Sequence, residues 1–248
     1  MNKHICTILV FFISVAIHSQ ETEEKSSFDK IKERINISFE SNGQWYLNDE
    51  KFEDIKEDTE RLRANSYLRV DYQISDRFSS GFQLESYVPE PLLNYSRLFD
   101  KEFGLGTFYV NYKTKKIDIT LGHYYVQFGS GLILRAWEDR ALGVNNALRG
   151  GKIVYDPTNY LRVTALYGKQ RKGFDVANSD VFGFETQFDI ADAFQLESLN
   201  SLQLGLSYVG KKESYKRDSA AIGQPTFDIP ELINSFGAHL DLEYKNFY

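Results

Sequence analysis

Leu68-Arg69-Val70-Asp71-Tyr72-Gln73-Ile74 alternates an apolar side chain with a polar one without a break. A period of two sends successive side chains to opposite faces of a β-strand, whereas an amphipathic helix needs apolar residues three and four apart. The stretch therefore reads as a strand with Leu68, Val70, Tyr72 and Ile74 on one face and Arg69, Asp71 and Gln73 on the other.

The same alternation recurs on either side of it. Phe82 and Leu84 alternate with Gln83 and Glu85, Phe108, Val110 and Tyr112 with Asn111, and Ile117, Ile119 and Leu121 with Asp118 and Thr120. Further on come Leu161, Val163, Ala165 and Tyr167 against Arg162 and Thr164, then Phe182, Phe184 and Phe188 against Glu185 and Gln187. Leu202, Leu204, Leu206 and Tyr208 alternate with Gln203 and Ser207, and Phe236, Ala238, Leu240, Leu242 and Tyr244 with His239, Asp241 and Glu243. Ile35, Ile37 and Phe39 supply a first strand and Ile153 and Tyr155 a sixth, about ten in all.

The connections alternate in length. Leu47–Asn65, Val88–Leu105, Phe128–Arg149, Lys169–Asp180 and Gly210–Asn234 are long, while Ser75–Arg77, Lys113–Lys116 and Asp156–Tyr160 are short. A barrel crossing an outer membrane has this pattern, with short turns toward the periplasm and long loops outside. A secreted sandwich or soluble barrel would show alternating faces as core and solvent, but has no reason to keep its long loops on every second turn. Tyr46, Tyr87, Tyr112, Tyr155, Tyr167, Tyr208 and Tyr244 lie near strand ends, where a ring with a polar tip suits the headgroup layer. The expected fold is all-β, an antiparallel up-and-down transmembrane β-barrel. In hydrocarbon every backbone N–H and C=O must be paired, so such strands must close on themselves. Ten strands would enclose a narrow interior, and about fourteen to eighteen leave an aqueous route. Lys245–Asn246 reads as a tight turn with Phe247 and Tyr248 opening another strand, so the visible strands are expected to be part of a larger barrel.

The first residues carry Lys3 and His4, then an apolar run from Ile5 to Ile17, and read as a signal peptide over residues 1–19 with cleavage near Ser19–Gln20. That run is short of the roughly twenty residues a membrane helix needs. Residues 20–34 read as a short charged periplasmic segment, and 35–248 as the barrel. The one cysteine, Cys6, lies in the leader, which excludes disulfide scaffolds, thiolate metal sites and cysteine nucleophiles from the mature chain. Lys plus Arg is 29 against 35 Asp plus Glu, with no basic stripe, so nucleic acid is not an expected partner.

The alternation stops between Gln127 and Gly151. Gly129 and Gly131 permit turns that other residues avoid, and Arg135, Glu138, Asp139, Arg140 and Arg149 bring opposed charges beside Trp137 and the Asn145–Asn146 pair. One reading is a loop folded into the barrel, its charges constricting the lumen and setting ion preference. The other is a salt-bridge network that braces the wall. Neither requires catalysis.

The run from Tyr125 to Gly150, together with Ser41-Asn42-Gly43-Gln44-Trp45-Tyr46 and Arg63-Ala64-Asn65-Ser66-Tyr67-Leu68, resembles a family of uncharacterised, porin-like outer-membrane β-barrel proteins from Bacteroidota. The similarity covers everything after the leader. It implies a barrel in the outer membrane of a Gram-negative cell and members longer than this chain. It implies no substrate, and no site residue is carried over from it.

A serine hydrolase site would need a serine, a histidine and a third polar group. His123 shares the register of Ile119 and Leu121 and faces outward unless a bulge at Gly122 turns it, while His239 is on the lumen register. Gly129-Ser130-Gly131 is not a G-x-S-x-G elbow, and the two histidines left once His4 and His18 go with the leader, without H-E-x-x-H, make no zinc motif. No catalytic residue, metal ligand or cofactor is expected. Asn48–Glu60 holds seven acids and two lysines and reads as a solvated loop, with divalent-cation binding as the sharper alternative. Lys211–Ile229 reads as a polar external loop, able to meet partners or simply solvated. The expected function is porin-like passage of small polar solutes through a lumen constricted by residues 128–149. The alternative is a non-conducting barrel that serves as subunit or scaffold of an assembly, secretion or surface-display complex. Expected partners are outer-membrane lipid and lipopolysaccharide and, on the alternative reading, other proteins of such a complex.

Overall fold

The computed structural model describes residues 32–47, 61–95, 103–196, 199–213 and 230–244. The leader, nearly all of residues 20–34, the acidic run Asn48–Glu60, most of Lys211–Ile229 and the turn at Lys245–Asn246 lie outside the described residues. The chain divides into two units, Met1–Arg34 and Ile35–Tyr248, and the fold belongs to the second.

In chain order the strands are β1 (Ile35–Trp45), β2 (Leu62–Gln73), β3 (Phe78–Ser86), β4 (Phe103–Lys113) and β5 (Ile117–Tyr124). Two short pairs follow, β6 (Val126–Gln127) with β7 (Arg135–Ala136) and β8 (Glu138–Asp139) with β9 (Val144–Asn145). Then come β10 (Leu148–Thr158), β11 (Leu161–Lys172), β12 (Asp175–Val176) and β13 (Asp180–Asp189), the one-turn helix α1 (Ile190–Phe194), β14 (Ser201–Lys212) and β15 (Leu232–Glu243). The ten long strands make one antiparallel up-and-down sheet in the order β1-β2-β3-β4-β5-β10-β11-β13-β14-β15. The sheet is not closed: among the described residues, β1 and β15 each pair along one edge only.

Cross-strand register turns the period-two sequences into continuous bands. Phe78, Tyr112, Ile119, Ile153, Ala165, Phe184, Tyr208 and Phe236 stand side by side across eight strands. Beside them run Ile37, Val70, Phe82 and Phe108. This face is exposed, with Phe39 at 70%, Phe236 at 77% and Leu240 at 63%. The opposite face is buried and mixed: Asn65 and Glu85 at 1% and Gln83 at 2% lie on β2 and β3, and the apolar Leu148, Leu166, Val181 and Val209 lie on β10, β11, β13 and β14. Globular proteins in water rarely expose large contiguous apolar patches and mostly keep Glu, Gln and Asn outside. Here a broad apolar face is exposed while Glu85, Gln83 and Asn65 are buried.

One ion pair shows how strongly the sheet curves. Glu85 on β3 and Arg171 on β11 meet at 2.6 Å. Their strands are four steps apart in the sheet, about 19 Å along a flat one at about 4.8 Å per step, farther than an Arg and a Glu together can span. The buried polar face is therefore the concave one.

One local feature departs from simple alternation at β5. Gly122 has φ +102°, a region closed to side-chain-bearing residues, and His123 leaves its outward register to fill the seam between β4 and β5. There its Nδ1 accepts the Phe108 backbone N–H at 3.2 Å, a donor that would otherwise lack a ladder partner. Gly122→Ala would carry a Cβ to 2.5 Å from the Phe108 carbonyl oxygen. It is expected to destabilise the fold by about 1–3 kcal/mol, read as a lowered denaturant midpoint in detergent micelles. The expectation for Tyr87 is corrected by its own register, which continues that of Gln83 and Glu85. Tyr87 does not join an outer aromatic girdle but is 2% exposed on the concave side, packed against Tyr67, Tyr95 and Phe174.

Candidate functional site

The chain between β5 and β10 folds back over the concave face. Gly129 (φ +48°) and Gly131 (φ +87°) make the reversal that pairs β6 with β7, closed by the Gly131 N–H to the Phe128 carbonyl at 2.8 Å. Phe128 then sits at 2% exposure in a cluster with Tyr124, Ala136, Leu148, Leu166, Val181 and Val209. The Gly129 N–H donates to Glu185 Oε1 at 2.8 Å, midway along β13. Gly129 also abuts His239 on β15, which lies on the inner face in keeping with its register.

The same segment reaches the other side of the sheet. Arg140 donates from Nε to Glu138 Oε1 at 3.3 Å, from Nη2 to Gln83 Oε1 at 3.1 Å, and from Nη1 to Glu40 on β1. Its guanidinium lies 4.1 Å from the Tyr67 ring centroid, a cation–π contact. Burial works against its charge, but Glu138 and Glu40 outweigh that cost and raise its pKa above the usual arginine value. The Tyr125 hydroxyl donates to Glu138 Oε2 at 3.3 Å and accepts from Asn145 Nδ2 at 3.1 Å. Burial and then the Glu138 charge push its phenol up, so it stays a neutral donor. From the β3–β4 connection, Asn94 Nδ2 donates to the Ala141 carbonyl at 2.7 Å and the Tyr95 hydroxyl to the Arg140 carbonyl at 3.2 Å. Asn146 ties the two short hairpins together, accepting the Trp137 N–H at 2.6 Å and donating to the Arg135 carbonyl at 3.1 Å. The segment is thus anchored from β15 across to β1, about halfway down the strands.

Of the five charged residues expected to act together, only Glu138 and Arg140 share a network. Arg135 stacks on Trp137 at 4.0 Å. Asp139 accepts the Leu142 N–H at 2.9 Å and shapes the turn between β8 and β9. Arg149 sits apart at the rim of β10, facing Asp175 at 3.9 Å. Three members of the network were not singled out from sequence, Glu40, Gln83 and Tyr67. Each was legible only as a residue of a polar register. The buried Glu85–Arg171 pair was missed as well. Arg171 donates to both Glu85 oxygens, at 3.0 and 2.6 Å, and Gln83 Nε2 and the Tyr87 hydroxyl complete the carboxylate's partners at 2.8 and 2.7 Å.

Chemically, the arrangement presents one guanidinium, two carboxylates and an amide on a backbone pinned over a polar concave face. Such a group can sort small solutes by charge and size. Among the described residues no serine hydrogen-bonds His123 or His239, and no group of His, Cys, Asp and Glu is placed to hold a metal ion. No curated protein matches the chain. A family profile does match, over residues 1–248, and on that agreement the chain belongs to the family of unknown function DUF6029.

Proposed function

We propose that this protein is an outer-membrane β-barrel component with a water-lined interior, and that it passes small polar solutes past the inward-folded segment around Arg140. The observation that carries the reading is a broad exposed apolar face opposite a concave face that buries charged and amide side chains, Glu85, Arg171, Glu185, Gln83 and Asn65. An eleven-residue strand such as β4 is about 36 Å long at about 3.3 Å per residue and rises about 25 Å at a tilt of about 45°, the height of an outer-membrane apolar band. Exposed aromatic residues lie toward both ends of that band, Trp45, Phe103 and Tyr167 near the long loops and Phe78, Tyr155 and Tyr160 near the short turns. This distribution suits the two headgroup layers. The outer edges of β1 and β15, which have no partner strand among the described residues, must be paired in lipid, because open backbone in hydrocarbon is not tolerated.

Phe184→Arg tests the outward face. At the middle of an apolar band it is expected to cost about 2–4 kcal/mol of folding stability in lipid vesicles. On a water-facing strand the change would be close to neutral, and that outcome would remove the membrane assignment. The pore itself is tested by single-channel recording in a planar bilayer, where stable ohmic steps are expected.

A second reading is a barrel that holds a partner protein and does not conduct. Its support is a patch of small outward residues, Ser41, Gly43, Ala64, Ser66 and Ser86, where β1, β2 and β3 meet. Small side chains let a neighbouring wall approach closely. A correctly folded barrel that stays silent in the bilayer would select this reading over the first.

A further inference from the structure

A cavity of about 110 Å³ opens on the concave face beside the Arg140 network, lined by Arg69, Asp71, Gln83, Thr107, Tyr109 and His123 among others. Cross-strand register builds it in two rows. Arg69, Gln83 and Thr107 stand abreast on β2, β3 and β4, and Asp71, Gly81, Tyr109 and Gly122 form the next row. Gly81 leaves space for the Tyr109 hydroxyl to cross and donate to Asp71 Oδ1 at 2.9 Å.

The hydrogen-bond inventory is one-sided. Asp71 is already occupied, accepting from Arg69 Nε at 2.7 Å and Nη2 at 3.1 Å as well as from Tyr109. Gln83 is spent on Glu85 and Arg140. Three donors remain without a partner among the described residues: Arg69 Nη1, the Thr107 hydroxyl and His123 Nε2. The histidine is fixed as a donor by its other nitrogen. Nδ1 accepts the Phe108 N–H, so it carries no proton, and the neutral ring must bear its hydrogen on Nε2. His123 is 8% exposed, its ring is held edge-on to Phe108 at 5.0 Å, and it lines the cavity.

Three leftover donors, one of them a guanidinium, call for an acceptor-rich group. The cavity has the volume of between three and four waters at about 30 Å³ each, which fits a carboxylate or a phosphate group. We propose that this cavity is an oxyanion subsite on the inner wall, where Arg69, Thr107 and His123 hold the carboxylate or phosphate of a small solute. The subsite rests on the inner face being open to water, and so on the reading above. Binding does not require conduction.

The test uses the folded full chain in detergent micelles, titrated calorimetrically with inorganic phosphate and, separately, with acetate. Binding of at least one probe is expected. Binding of phosphate alone assigns a tetrahedral oxyanion, and binding of both assigns a carboxylate-accepting site. Thr107→Val, which keeps the β-branched shape, and Arg69→Lys, which keeps the charge, are each expected to weaken binding about tenfold, the worth of one hydrogen bond to a charged group. Both variants are first checked for unchanged heat-modifiable gel migration. If neither probe binds, or if the folded variants bind as the parent does, the subsite is wrong. A barrel that binds a probe but stays silent in the bilayer loses the pore and keeps the subsite. One that conducts but binds neither probe keeps the pore and loses the subsite.

Discussion

Glu85→Ala is expected to lower folding stability by about 3–5 kcal/mol, because it removes the carboxylate that accepts two hydrogen bonds from the buried Arg171 guanidinium. Both side chains are almost wholly buried, at 0% and 1% exposure. The loss spreads, since Gln83 and Tyr87 also donate to the same carboxylate. The measurement is the urea midpoint of the protein refolded in vesicles, followed by tryptophan fluorescence. Replacing both partners, Glu85→Leu with Arg171→Met, leaves no orphaned charge and is expected to recover most of the loss, because apolar groups of similar volume often do as well as a buried pair. If the single variant proves as stable as the parent, the ion pair is not what holds β3 against β11.

If the barrel conducts as proposed, Arg140→Ala is expected to move its ion preference toward cations by about threefold or more. The change removes the guanidinium that bridges Glu138 and Glu40 and leaves both carboxylates without it. Reversal potentials under a salt gradient read the shift directly. Arg149→Ala serves as the comparison, since Arg149 lies at the rim near Asp175, and its removal is expected to leave selectivity nearly unchanged. Unchanged selectivity in a conducting Arg140→Ala channel would take the segment out of the permeation path.

The contrast between these two arginines marks where local sequence stops being informative. From charge and spacing alone, Arg135, Glu138, Asp139, Arg140 and Arg149 were equivalent. Their separation is set by the two glycine turns and the Asn146 bonds, which aim Arg140 at β1 and β3 while Arg149 stays in a strand. His123 illustrates the same limit at one residue. Its register points outward, and only the backbone at Gly122, together with an unpaired N–H on the neighbouring strand, brings it into the wall.

What the sequence by itself determined is everything with a period of two: the all-β class, the ten long strands, their up-and-down order and the two faces, polar and apolar. These follow from the geometry of single strands and the lengths of the turns between them, which are local properties. The tertiary structure alone decided which polar residues meet. Glu85 and Arg171 are 86 residues apart, Arg140 and Glu40 are 100 apart, and both pairs form only because the sheet curves until distant strands face each other. Curvature is a sum over every strand-to-strand twist and over what packs inside, so no short stretch of sequence encodes it.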